Sequence, residues 1–360
     1  MVNLIKSNYM FGYIEGYYGK LLNWEERNKI VKKLKNLNMK YYFYAPKEDV
    51  FHRALWRKKY PDEWVKKFNI FTKFSHQNGI KLIAGVSPGL DFNYSSILNP
   101  NENTESQSND FKKLIEKCFF FQKQGVKFIT LLFDDIPASF SQNYKKYSEG
   151  ATHALLANKL SSQLKKPVLV VPRVYADELA FDSPNYLNDF FDTLSYDIKV
   201  FYTGKNIVSK NVKSDLKIIS SMLKNNRIVF WDNFHANDYC PKKIFLGTRS
   251  KYDLENGIMA NLTGMPYTDM LILDIISIST NGKNSIKNIK EIFCKNKIPK
   301  KFFKIYPFFK NPVISKEKKT KKDKLDLSHI NLISCLDYLL WKWKHPLSIE
   351  WYSHLINLKH

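Results

Sequence analysis

Short apolar or aromatic runs alternate with longer amphipathic stretches through most of the chain, the pattern expected of alternating strands and helices. The first run, 9–18, predicts a strand, and Asn23 then caps an amphipathic helix through Leu37. Strands are expected at 41–45 and 81–86, with a helix over 61–76 between them. Ser87-Pro88-Gly89 forces a turn after the second of these. An Asn- and Ser-rich loop leads to a helix over 110–124 and a fourth strand at 127–133. Further strands are predicted at 167–171, 199–202, 227–231 and, shorter, at 257–261. Helices are predicted over 186–194, 214–223 and 271–279.

Roughly eight strand–helix units in about 280 residues predict an α/β fold, a (β/α)8 TIM barrel rather than a doubly wound sheet. No GxGxxG follows the first strand, so a dinucleotide crevice has no support. Beyond Gly282 the pattern changes. The expected division is a barrel over 1–282, a basic linker region over 283–326 and a short C-terminal helical segment over 327–360. The charge run 316–324 (KEKKTKKDK) reads as solvated linker, and helices are predicted over 327–343 and 347–358, broken near His345-Pro346. Trp341, Trp343 and Trp351 are expected to pack on the barrel or on a second copy of the chain, which makes a homodimer through these helices an expectation.

Composition narrows this picture. Of 360 residues, 44% are hydrophobic and 25% charged, which excludes a mostly disordered chain. Aromatic residues reach 15%, enough for aromatic-walled pockets. The formal charge of +23 raises a nucleic-acid or anionic-surface hypothesis, but the excess is spread along the whole sequence and reads as compositional bias. Cys118, Cys240, Cys294 and Cys335 form no CxxC pair, so a zinc site of the usual spacing is not expected, and Cys118 fits a buried thiol. The first residues show no signal-peptide pattern and no apolar run is long enough to span a membrane. A cytoplasmic protein is expected.

The chemically unusual residues fall at the carboxyl ends of the predicted strands, where a barrel of this kind builds its active site: Gly16, Lys47, Asp134, Asp135, Tyr175, Trp231, Asn233 and Asn261. Asp134 and Asp135 are adjacent, and adjacent strand residues face opposite ways. At a strand end, where the backbone turns, both can reach one pocket, and two close carboxylates push one pKa upward, as a general acid needs. A turn, a helix cap or magnesium binding would also use such a pair. The run Trp231-Asp232-Asn233-Phe234-His235-Ala236-Asn237-Asp238-Tyr239 can wall a sugar ring and hold its hydroxyls, with His235 as a structural hydrogen-bonder.

At these residues the sequence resembles glycoside hydrolase family 84, the protein O-GlcNAcases and related β-N-acetylglucosaminidases, some of them called hyaluronidases. The resemblance rests on Glu15-Gly16-Tyr17-Tyr18-Gly19, on Tyr44-Ala45-Pro46-Lys47-Glu48-Asp49 with His52-Arg53 and Trp56-Arg57, and on Ser87-Pro88-Gly89-Leu90. It continues through Leu132-Phe133-Asp134-Asp135-Ile136 and Trp231-Asp232-Asn233 to Asn237-Asp238-Tyr239, in one order over residues 9–280. It implies removal of β-linked GlcNAc with retention, the substrate's own 2-acetamido oxygen acting as nucleophile through an oxazoline. By resemblance, Asp134 holds the acetamido N–H and Asp135 is the general acid and base. Gly16 and Lys47 match contacts to sugar hydroxyls, Tyr175 the lining of the acetamido pocket and Trp231 its aromatic wall. Asn233, Asp238 and Asn261 match further groups that hold the ring.

No metal and no cofactor are implied. The partner implied is a GlcNAc-bearing glycoside or glycoprotein, not a membrane or a nucleic acid. Alternatives stay open at this point: small GlcNAc glycosides or glycan fragments as substrates, or a non-catalytic basic barrel that binds carbohydrate or nucleic acid.

Overall fold

In the computed structural model, residues 9–98, 110–209, 227–249, 257–280, 282, 285–312 and 330–359 are described. Its eight strands are β1 Met10–Glu15, β2 Tyr41–Tyr44, β3 Lys81–Val86, β4 Phe128–Leu132, β5 Leu169–Val171, β6 Lys199–Tyr202, β7 Ile228–Asp232 and β8 Gly257–Asn261. They run parallel and close into a barrel in chain order, β1 pairing with both β2 and β8. Side chains alternate, as a pleated strand requires. Ile14, Phe43, Leu132, Val171, Phe201, Trp231 and Met259 fill the interior. Their neighbours Tyr13, Tyr42, Leu131, Val170, Tyr202 and Phe230 pack outward under the helices.

Those helices include Trp24–Asn36, Asp62–Gln77, Asp110–Lys123, Tyr186–Thr193 and Pro266–Thr280, close to where the hydrophobic pattern puts them. Asn23 and Glu26 form a reciprocal capping box at the first. The last begins five residues ahead of the predicted 271, because Pro266 opens its first turn. The expected helix over 214–223, the charge run 316–324 and the start of the expected helix over 327–343 lie outside the described residues. One long helix, Glu149–Leu164, has no counterpart in the sequence pattern. It buries Gly150, Thr152, His153 and Ala154 as well as Leu156, Leu160 and Leu164, so small and polar residues blur the amphipathic contrast. Gly150 is required there, since a Cβ would stand 2.1 Å from the Tyr186 carbonyl oxygen.

A buried ion pair ties β1 to the first helix. Arg27 donates from Nε and Nη2 to the two Glu15 carboxylate oxygens at 2.9 and 2.8 Å, and Tyr42 donates to Glu15 at 2.6 Å. The guanidinium lies over the rings of Trp24 and Tyr44. Both Glu15 oxygens are thus hydrogen-bonded within the core, which a buried pair needs if desolvation is not to dominate.

The chain beyond the barrel packs back onto it. The stretch 283–326, expected as linker, carries the helix Ile286–Lys295 and the 3-10 turns Lys300–Lys304 and Tyr306–Phe309. Ile330–Asp337 runs into a π turn, Tyr338–Lys342, and the helix Pro346–Lys359 follows, so the expected break falls beside Pro346. From this last helix, Glu350 accepts the backbone N–H groups of Tyr267 and Thr268 and caps the helix Pro266–Thr280. Trp351 is fully buried against Phe302, Phe309 and Trp343, and its Nε1 donates to Thr268 Oγ1 at 2.9 Å. Trp341, expected with the other two to pack on the barrel or on a second copy of the chain, is not buried on this chain: it is 57% exposed and meets the edge of Tyr352 among described rings.

Two losses of stability follow. Trp351→Ala should destabilise the full chain by about 3–5 kcal/mol through the cavity it leaves. Arg27→Met should cost a similar amount, about 3–5 kcal/mol, because the buried Glu15 carboxyl loses its counter-ion in the core. Urea unfolding followed by circular dichroism measures both; a change below 1 kcal/mol in either would contradict the packing described.

Candidate active site

The parity of the strands continues past their ends and aims residues into the mouth of the barrel. On β1 the inward series Ile14 leads to Gly16; on β7 Trp231 leads to Asn233; on β4 Leu132 leads to Asp134. Asn261 closes the ring at the end of β8, beside Ile14. A cavity of about 420 Å³ opens there. All nine residues singled out by sequence line it: Gly16, Lys47, Asp134, Asp135, Tyr175, Trp231, Asn233, Asp238 and Asn261.

Asp135 should point away from Asp134 by strand parity. Its backbone resolves the conflict with φ of 55°, a left-handed turn that swings the side chain back over the mouth. Lys47 lies against both carboxylates, hydrogen-bonded to Asp134 Oδ2 and 3.6 Å from Asp135 Oδ2. Tyr18 donates to Asp135 Oδ2 and Tyr175 to Oδ1, each at 2.9 Å. Arg53 donates to the Tyr18 hydroxyl and to the Asp135 carbonyl oxygen, each at 2.6 Å. Tyr175 is itself fixed where β5 and β6 continue past their ends, its carbonyl oxygen accepting Thr203 N–H at 2.9 Å.

This geometry divides the two aspartates. Burial raises the Asp134 carboxyl above its ordinary range, Asp135 adding to the rise and Lys47 opposing it. Burial acts upward on Asp135 too, but Lys47, the two tyrosine hydroxyls and Arg53 outweigh it and hold that carboxyl low. The group that rises is therefore the inner aspartate, not the partly exposed one. Burial lowers the Lys47 ammonium, yet the carboxylates more than compensate and it stays charged. Burial and Asp135 raise the Tyr175 hydroxyl, which stays a donor. Asp134 Oδ1 is buried and has no hydrogen-bond partner among the described residues.

The opposite wall is aromatic and amide. Trp231 Nε1 donates to Asn233 Oδ1 at 2.8 Å, and Asn261 donates to the same oxygen at 3.0 Å. Gly16 leaves room for the indole: a Cβ there would stand 2.9 Å from Trp231 Cζ2. Asp238 accepts the backbone N–H groups of Tyr18 and Tyr239 and joins the loop after β7 to that after β1. His235 is buried and bonded through Nε2 to the Gly247 carbonyl oxygen, with its pKa pushed down to about 4 by burial, so it is a structural hydrogen-bonder. Among the described residues no group of three His, Cys, Asp or Glu side chains could hold a metal ion.

Sequence reasoning passed over Tyr18, Thr203, Ile207, Val208 and Ala236 in the lining and Arg53 behind it, while Tyr239 belongs to the run expected to wall a sugar ring. Tyr18, Arg53 and Tyr239 stood inside motifs already noted; no signal in the sequence marks Ile207 or Val208.

A model of the family described as beta-N-acetylglucosaminidase matches residues 11–282. The chain belongs to this family, glycoside hydrolase family 84. It is 30% identical over 247 residues to the protein O-GlcNAcase of Rattus norvegicus and equally so to that of Mus musculus, in each case over 66% of this chain. The chain spans only 26% of the length of those relatives. The solved structure of CpGH84B shares the fold with a TM-score of 0.75, covering 97% of this chain and 66% of that one at 24% identity. The family match spans the barrel, and the fold likeness extends over the helices beyond it.

The charge arrangement makes a signed prediction. Lys47→Met removes the cation that favours both ionised forms, so Asp134 and Asp135 should each titrate at higher pH than in the parent chain. Carboxyl ¹³C shifts followed against pH measure this, and a fall in both titrations would mean that Lys47 does not set the local charge.

Proposed function

We propose that the chain is a retaining exo-β-N-acetylglucosaminidase acting by substrate assistance, and that Ser- or Thr-linked O-GlcNAc on proteins is among its substrates. The observation that carries the reading is the pair after β4. One carboxylate is buried with a free acceptor oxygen, and the next is turned over the same cavity by a left-handed backbone. The name of the rat and mouse relatives, protein O-GlcNAcase, supports the protein substrate.

In the first step the 2-acetamido oxygen attacks the anomeric carbon, the glycosidic C–O bond breaks and an oxazoline forms. Asp134 accepts the acetamido N–H through its unpartnered oxygen and stabilises the positive charge that develops on nitrogen. Asp135 gives its proton to the departing oxygen. It then takes a proton from water, which attacks the same carbon and opens the ring, so two inversions amount to retention.

Two coupled carboxylates beside one ammonium share protons rather than titrating singly. In the free site the inner aspartate holds the proton more readily. An acetamido N–H at Asp134 favours its ionised form, which leaves Asp135 as the protonated member when the leaving group needs it. Lys47, Asp238 and Asn261, with the Gly16 backbone, hold the sugar hydroxyls, Asn233 orients the Trp231 wall, and Tyr175 lines the acetamido side. A cytoplasmic location completes the reading, supported by four cysteines that are all free. So does a homodimer through the C-terminal helices, supported by Trp341 and by Ile349, which is 79% exposed.

Incubation with 4-nitrophenyl β-GlcNAc and its β-GalNAc epimer across about pH 5–8 tests the reaction. Cleavage is expected, faster for GlcNAc, and undiminished by EDTA. No cleavage of either sugar ends the proposal. The two aspartates should separate by leaving group, because general acid catalysis contributes about 10²–10⁴-fold only where the departing oxygen needs a proton. Asp135→Ala should lose most on poor leaving groups, whereas Asp134→Ala should lose on good and poor alike. Reversed slopes in first-turnover rates would exchange their roles.

A further inference from the structure

We infer that Arg53 is a positioning residue for proton transfer, gripping the Asp135 turn by its carbonyl oxygen and, through the Tyr18 hydroxyl, by its carboxylate. The inference rests on the reading of Asp135 as general acid. Asp135 stands in a left-handed conformation, uncommon for a residue other than glycine, with φ of 55°. Its neighbour Asp134 is held by burial and by Lys47, but nothing in the strand itself fixes where Asp135 points. Arg53 supplies that constraint from the loop after β2.

The two outer nitrogens of the Arg53 guanidinium are both engaged. Nη2 donates to the Asp135 carbonyl oxygen at 2.6 Å and Nη1 to the Tyr18 hydroxyl at 2.6 Å. Because the Tyr18 oxygen accepts from Arg53, its own proton is directed to Asp135 Oδ2, 2.9 Å away. Arg53, Tyr18 and Asp135 thus close a ring that fixes the backbone and side chain of one residue together. A planar fork suits this task, and an ammonium at the same place would have one centre where two directions are required. Tyr18 is held in turn, its ring near both cations, with Lys47 Nζ 5.5 Å and the Arg53 guanidinium carbon 5.9 Å from its centroid.

The electrostatic setting gives this arrangement a distinguishable signature. Asp135 faces Lys47 from the end of β2, Tyr18 from the end of β1, Tyr175 from the end of β5, Asp134 from its own strand and Arg53 from the β2 loop. Of these, Arg53 is a cation that touches the Asp135 backbone and lies behind the cavity, since it does not line it. Removing it withdraws positive charge from Asp135 and frees its turn, while the contacts expected to hold the sugar are left in place. Charge and fork can be removed separately: lysine keeps the first and loses the second.

The test uses the full chain and its Arg53→Ala, Arg53→Lys and Tyr18→Phe variants, with first-turnover rates on aryl β-GlcNAc glycosides over a range of leaving-group pKa. In Arg53→Ala, poor leaving groups should slow by about 10-fold or more, while activated ones lose less than about 3-fold, as for an impaired but intact acid. Its alkaline limb of kcat/KM should move to higher pH, because the loss of a neighbouring cation disfavours the ionised form of the group that must be protonated. Arg53→Lys should keep the limb and still lose on poor leaving groups, Tyr18→Phe should share that loss, and added guanidinium ion should restore part of the Arg53→Ala rate. If Arg53→Ala does not fold, Arg53→Lys and Tyr18→Phe carry the same leaving-group test. A uniform loss across all leaving groups with an unmoved limb means a merely structural residue and overturns the inference, as do unchanged rates. Inactivity of the parent chain towards every glycoside overturns the proposed function, and this inference with it.

Discussion

The pairing of β8 with β1, from Met10↔Gly257 to Ile14↔Asn261, is the constraint on which the rest of the molecule depends. Parallel strands closed in a ring deliver all their carboxyl ends to one mouth. Residues far apart in sequence, from Gly16 to Asn261, then line a single cavity. The same closure packs Ile14, Phe43, Phe201 and Met259 beneath that cavity as a solid floor. The site is rigid where it needs to be because its floor is the core.

On that floor sits a charge cluster that would be costly elsewhere. Lys47 is nearly fully buried between two carboxylates, and Asp134 is buried with it. Mutual attraction and hydrogen bonds to Tyr18, Tyr175 and Arg53 offset the loss of hydration. Among the described residues that line the cavity, two buried side-chain atoms lack a hydrogen-bond partner: Asp134 Oδ1 and, on the opposite wall, Asn261 Oδ1. Unpaired buried acceptors at the lining of a cavity are places for a ligand's donors, and here they stand on either side of the space that a sugar would fill.

The helices beyond the barrel belong to the same mechanical unit. Phe309 accepts the Leu246 N–H at 2.6 Å and Tyr306 donates to the Leu246 carbonyl oxygen at 3.2 Å. Leu246 follows the loop that carries Asp238 and Tyr239, and Gly247 beside it approaches the Lys310 backbone so closely that a Cβ would stand 1.7 Å from its carbonyl oxygen. Glu350 and Trp351 hold the start of the helix that follows β8. A segment that reads in sequence as linker and appendage therefore braces one side of the active-site mouth.

Local physics made much of this protein legible from sequence. Apolar runs of strand length, caps such as Asn23 and breakers such as Pro346 act over a few residues, so all eight strands lie within a few residues of their predicted bounds. The nine lining residues were legible because strand ends in a barrel are predictable positions and because their motifs are rare. The helix Glu149–Leu164 was not, since its buried face holds glycine, threonine and histidine chosen to fit Tyr186 and its neighbours. Nor was the role of Arg53, whose partners are 35 and 82 positions away. The protonation order of the two aspartates was hidden for the same reason. Adjacency fixes that they repel, but which one rises depends on burial, on Lys47 and on two tyrosines brought in from other strands. Sequence alone determined the eight strands, most of the helices between them and the chemistry available at the strand ends. Only the closed barrel decided how those groups face one another, because hydrogen bonds and desolvation act through space and not along the chain.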